Sequence, residues 1–140
     1  MALVIHTVGE RTALDVWFAV EDFQLHLYSN DYTPSQADNI NVSYNEVSGA
    51  STGYAAKTLA KGSWGAASTD GSQHTTKTYA AQTFNFTGAG CPVTVYGYYV
   101  TTAAGVLLWG EKVYAAGQSF PAGSSLTITP TFELGNGTPT

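Results

Sequence analysis

The sequence predicts a mainly β fold: an antiparallel β-sandwich or jelly-roll-like barrel of about eight strands with one short N-terminal helix. Three observations carry the prediction. Short β-branched and aromatic runs recur roughly every 8 to 12 residues between Gly, Pro, Asn, Asp and Ser clusters, the rhythm of an all-β domain. Charged residues are only 11% of the chain, against about 25% in an average soluble domain, while Gly numbers 15 and Tyr 9. Residues 93–113, VTVYGYYVTTAAGVLLWGEKV, read as two strands about the turn Ala103, Ala104, Gly105, and alternation places bulk on both of their faces. A ribbon bulky on both sides is covered on both, by a second sheet, a helix or another chain.

The 140 residues fit one domain, of a size that buries roughly two thirds of the surface its unfolded chain exposes. Neither a metal nor a disulfide is needed to hold it, and the single Cys91 has no intrachain partner. A net charge of −5 opposes the phosphate contacts that nucleic acid requires. The N-terminus lacks the charged start and long apolar run of a signal peptide, and no segment reaches the roughly 18 apolar residues of a membrane span. A cytosolically made chain with no nucleic-acid or membrane partner is expected.

Taken in order, residues 1–8 form an arm or strand, 9–134 the domain and 135–140 a flexible tail. Within 10–20, Ala13, Val16, Trp17 and Val20 fall at helical spacing, so this stretch is the helix and those residues its apolar face. Glu10 in its first turn suits the helix dipole. Residues 23–28 alternate, with Phe23, Leu25 and Leu27 opposite Gln24, His26 and Tyr28. A polar loop follows through Pro34 and Ser35. Ile40, Val42 and Tyr44 predict a short strand, and 53–59 another. Asp70-Gly71 marks a hairpin turn, with strands at 75–79 and 82–87, the second setting Phe84 and Phe86 on one face. The last strand, 126–134, contains Pro130, which demands an edge or a bulge.

No catalytic constellation emerges. His6, His26 and His74 lack metal-ligand spacing. Among Asp15, Glu21, Asp22, Asp31 and Glu111 no pair is placed by sequence for acid–base work, and Glu111 has Lys112 or Arg11 as an ion-pair partner. Asp31, Asp38 and Asn39 match no calcium loop. Phosphate-loop, nucleophile-elbow and metalloprotease motifs are missing. A non-enzymatic chain without cofactor or metal is expected. The residues singled out are Tyr96, Tyr98, Tyr99 and Trp109, which, paired across the hairpin, make one aromatic platform for a protein interface or a sugar ring; filling of the core and its rim is the plainer alternative.

Gly9-Glu10 before a helix, LHLYSNDYTPS at 25–35, Gly53-Tyr54-Ala55, VYGYYV at 95–100, LLWGE at 107–111 and LTITPTFEL at 126–134 occur in this order. The ordered set resembles a group of small tailed-phage virion proteins of the capsid decoration, or cement, type, with Gly110 where that group suggests alanine. The resemblance brings no catalytic residue. It implies a protein on the outer surface of the virion head that binds the major capsid protein and copies of itself, as a homotrimer, with mobile ends such as residues 1–7 pairing with a neighbour's strand. Readings from other classes are a carbohydrate-binding or receptor-binding β-sandwich module and a tail or head-to-tail component of the virion.

Overall fold

The computed structural model describes residues 6–134. Of the predicted arm at 1–8, residues 1–5 lie outside them, as does the tail at 135–140, while Thr7 and Val8 open a helix instead of continuing an arm. The described residues are mainly β, with antiparallel sheets in a β-sandwich-like arrangement. Their elements are α1 (Thr7–Trp17), β1 (Phe23–Tyr28), α2 (Ile40–Ser43), α3 (Gly49–Thr52), β2 (Lys57–Leu59), β3 (Ser68–Thr69), β4 (Thr75–Thr78), β5 (Gln82–Phe86), β6 (Val93–Val95), β7 (Gly97–Thr102), β8 (Leu107–Lys112), β9 (Gln118–Phe120), β10 (Ser124–Ile128) and β11 (Thr131–Leu134). Among these residues no helix is long and apolar enough to cross a membrane.

The largest sheet has the order β2-β1-β7-β8, and smaller ones pair β10 with β5, β11 with β4 and β3, and β6 with β9. In the register of β1 against β7, Leu25 faces Val100 and Leu27 faces Tyr98, while Gln24 faces Thr101 and His26 faces Tyr99. Directly opposed residues share a face. Phe23, Leu25, Leu27, Leu59, Tyr98 and Val100 therefore line an inner face, where they join Leu14 of α1 and Phe18 at its C-terminal cap, Phe84 and Phe86 of β5, and Leu126 and Ile128 of β10 in one core. Phe18 sits at its aromatic centre, with ring centroids 4.5 Å from Trp64, 5.0 Å from Trp17 and 5.2 Å from Phe23.

Several sequence expectations are corrected. The eight strands become eleven in the described residues: two long runs break, the short strands β3 and β9 are added, and the one predicted at 40–44 is lost. The run through 93–100 breaks at Tyr96, whose amide donates to Tyr28 O and whose carbonyl accepts from the Val113 and Tyr114 amides. The break shifts the alternation, so Val95 shares the core with Tyr98 and Val100 instead of facing away from them. The run through 126–134 breaks at Pro130: β10 pairs with β5, β11 with β4, and the Pro130 carbonyl accepts from the Tyr79 amide at 2.9 Å. A residue with no N–H suits the point where a chain changes sheets.

Residues 40–43 form a helical turn instead of a strand, and of 53–59 only Lys57–Leu59 is extended, after α3 ends on Gly53 at φ 78°. Finally, α1 and its C-terminal cap bury Glu10, Leu14 and Phe18, whereas Val16 and Val20 are 62% and 63% exposed, as is Val8 at 63%. Of the predicted apolar face, Ala13, Val16 and Val20 point outward, and Trp17 alone packs against the core. Glu10 turns inward because the Thr75 hydroxyl donates to its Oε2 at 2.7 Å, giving a buried carboxylate the hydrogen bond it requires.

Candidate functional site

The outer face of the β1–β7 pair carries Gln24, His26, Tyr28, Tyr99 and Thr101, and the chain after β1 folds back over part of it. Asn30 sews the return: its side-chain amide donates to Ser43 O at 2.9 Å, and its Oδ1 accepts from the Asn45 amide at 2.9 Å. Glu46 then bridges to Tyr28, and the Val47 amide donates to Leu27 O at 3.0 Å. The covering segment delivers Tyr44 onto the sheet, where Tyr28, Tyr44 and Tyr99 form a second buried cluster with Tyr32, Tyr96 and Leu107 against it.

Asp38 pins this segment. Its carboxylate accepts from the hydroxyls of Tyr32, Tyr44 and Ser35, the last two at 2.8 Å, and from the Ser35 amide at 2.9 Å. Burial acts to raise its pKa, but the bonds from Tyr32, the Ser35 amide, Tyr44 and the Ser35 hydroxyl outweigh it and hold the group at about 2. A depressed carboxylate contributes stability that is present above its ordinary value near 3.8 and is lost as pH falls through about 2. Thermal melts should therefore drop across that window, and Asp38→Asn should start lower and vary less with pH. An equally steep acid limb in the variant would remove Asp38 as its source.

Glu46 makes the other anchor. Its Oε1 lies 2.8 Å from His26 Nδ1 and accepts from the Tyr54 hydroxyl at 2.9 Å, and that same hydroxyl accepts from the Leu27 amide at 3.1 Å. His26 Nε2 lies 3.2 Å from Thr101 Oγ1. Burial, followed by the Glu46 charge, pushes the Tyr99 hydroxyl well above its ordinary value, so it stays protonated. Two open clefts flank Tyr44. One, of ≈ 400 Å³, runs beside β8 and is lined by Ser35, Asp38, Tyr44, Leu107 and Trp109; the other, of ≈ 450 Å³, is lined by Gln24, His26, Tyr44, Glu46, Tyr99 and Thr101.

The four residues singled out from sequence do not make one platform. Tyr98, 3% exposed, lies in the inner core with its hydroxyl on Glu111 Oε2 at 2.7 Å, and Trp109 packs on the same core. Tyr99, also 3% exposed, and Tyr96 belong to the outer cluster. Tyr99 stacks with His26 and with Tyr44, each at a ring-centroid separation of 4.8 Å, and at 3% exposed it has no ring face open to a sugar. The break at Tyr96 and the turnover of faces between adjacent residues of β7 separate the four.

The remaining candidates go to separate partners. Asp15 pairs with Lys77, Asp31 with Lys112, Asp22 accepts from the Lys61 amide, and Glu111 bonds Tyr98 instead of Lys112 or Arg11. Among the described residues no group of three or more His, Cys, Asp or Glu is placed to hold a metal ion. His26 was legible as a polar-face residue of β1; its partners were not, since they lie 20 and 75 residues away. Comparison with protein-family models, curated proteins and solved structures gives no match.

Proposed function

We propose that this chain is a structural component of a tailed-phage virion, of the capsid decoration type, binding the outer head shell through the major capsid protein and through copies of itself as a homotrimer. The ordered resemblance running from Gly9 to Leu134 supports the family. The observation that carries an assembly role is the outward face of α1. Val8, Thr12 and Val16 stand four residues apart on one stripe of the helix, Val8 and Val16 being 63% and 62% exposed, with Val20 at 63% just beyond. The Thr12 hydroxyl donates back to Val8 O at 2.9 Å, which leaves its methyl group outward. A helix apolar on both sides has a second surface to bury.

Covering one of these valines is worth roughly 1.5 kcal/mol or more, and repetition over a shell multiplies a modest contact. No reaction is required for that role. Val16→Asp is expected to melt as the parent does, because the side chain touches solvent, yet to lose binding to assembled heads by a factor of ten or more. Native mass spectrometry with a head-sedimentation assay is the check. A parent protein that is only monomeric and never sediments with heads overturns the proposal.

A further inference from the structure

We propose that Thr101, His26 and Glu46 form a nucleophile, base and orienting-carboxylate relay, and that the cleft above them hydrolyses small neutral esters. This activity goes beyond the assembly role and does not depend on it. Glu46 is an acceptor-only carboxylate, so the His26 Nδ1 that lies 2.8 Å from Oε1 carries the ring proton. In the neutral imidazole Nε2 is then the acceptor, and it faces the Thr101 hydroxyl at 3.2 Å. Local chemistry thus sets the polarity of the chain from hydroxyl to imidazole to carboxylate, the arrangement that activates an alcohol as a nucleophile.

The supports are built in. Stacking on Tyr99 at 9° between ring planes holds the imidazole, and the Tyr54 hydroxyl, fixed by the Leu27 amide, holds Glu46. Glu46 and Tyr54 are positioning residues in this scheme. Gln24 stands directly opposite Thr101 in the β1–β7 register. One of its two amide N–H groups reaches Thr58 Oγ1 at 3.2 Å, and the other is the donor we assign to the developing oxyanion. The cleft holds ≈ 450 Å³, Glu46 is the only charged carboxylate among its lining residues, and Ile40 and Tyr44 supply apolar wall. A single negative charge and no Lys or Arg disfavour an anionic substrate and suit a neutral one.

Thr101 Oγ1 adds to the ester carbonyl carbon as its proton passes to His26 Nε2. The carbon–alkoxy bond then breaks, and the alcohol leaves with that proton. Water, deprotonated by the same nitrogen, cleaves the acyl-threonine, restoring the hydroxyl and releasing the acid, for a net consumption of one water.

The test uses the full chain with p-nitrophenyl acetate. Turnover is expected, together with one acetyl group mapped by mass spectrometry to the peptide containing Thr101 after acid quench. Thr101→Val should lower the rate by about 100-fold or more, the scale of losing an activated nucleophile and its base, while Thr101→Ser retains it. Circular dichroism reports folding; should the valine variant not fold, the site of acetylation on the parent decides. Unchanged turnover in a folded Thr101→Val, acetylation elsewhere, or a folded parent no faster than free imidazole overturns the assignment. Head binding is a separate readout, so failure here leaves the assembly role standing.

Discussion

Phe18→Ala is expected to lower the free energy of unfolding by about 3–5 kcal/mol, the cost of emptying a large aromatic site in a core that cannot collapse around it. Phe18 is 1% exposed. Its ring meets Trp17, Phe23, Trp64, Trp109 and Phe132 at centroid distances between 4.5 and 6.0 Å. These partners come from α1, β1, the loop before β3, β8 and β11, so one ring ties the end of the helix to several elements at once. The Lys77 ammonium lies 5.9 Å from the ring centroid, and it also donates to Gly65 O at 2.9 Å and pairs with Asp15. Removing the ring leaves that buried cation without its aromatic cover. Since domains of this size have only about 5–15 kcal/mol to lose, urea titration should show most of the stability gone. A loss below about 1 kcal/mol would mean that α1 does not pack as described.

Gly97→Ala should be comparably damaging for the opposite reason, excess volume. A Cβ at this position would lie 2.0 Å from Glu111 O, 2.8 Å from the Tyr28 hydroxyl and 2.9 Å from Tyr28 Cε1. The first contact is backbone of β8, and Tyr28 is fully buried beneath Tyr44, so neither can step aside cheaply. A loss at or above the upper end of the roughly 1–3 kcal/mol usual for overpacking is expected. Near-UV circular dichroism should change with it, because displacing Tyr28 disturbs the aromatic cluster it forms with Tyr44 and Tyr99. Gly71→Ala, where nothing lies within 4 Å of the added carbon, is the control and should be nearly neutral. Equal stabilities for the two variants would contradict the packing of β7 against β8.

Strands with one aliphatic or phenyl face were readable from the chain. β1 and β5 alternate because Phe23, Leu25, Leu27, Phe84 and Phe86 line the inner core while the residues between them do not, and a period-two core contact leaves a period-two sequence. The helix was readable in position but not in orientation. Two apolar faces satisfy the same 3.6-residue spacing, and the choice fell to Leu14 and Phe18, with Glu10 accepted inside by a hydroxyl 65 residues away. Ile40 and Tyr44 mimic strand alternation over a span too short to distinguish it from a helical turn, which hid the segment that covers the outer sheet face.

What composition and local pattern decided is the class: low charge, frequent Gly and Tyr, and recurrent β-branched runs admit a β-sandwich-like domain and little else. They also marked the 93–113 hairpin as needing cover on both sides. Only the tertiary structure decided what the cover is. The inner face meets α1 and the strands opposite, and the outer face meets Tyr44, carried by the return segment that Asp38 and Glu46 pin to the sheet. Pairings that join His26 to Thr101 across 75 residues depend on strand order and register, and a local pattern carries neither, because each strand's alternation is compatible with many partners.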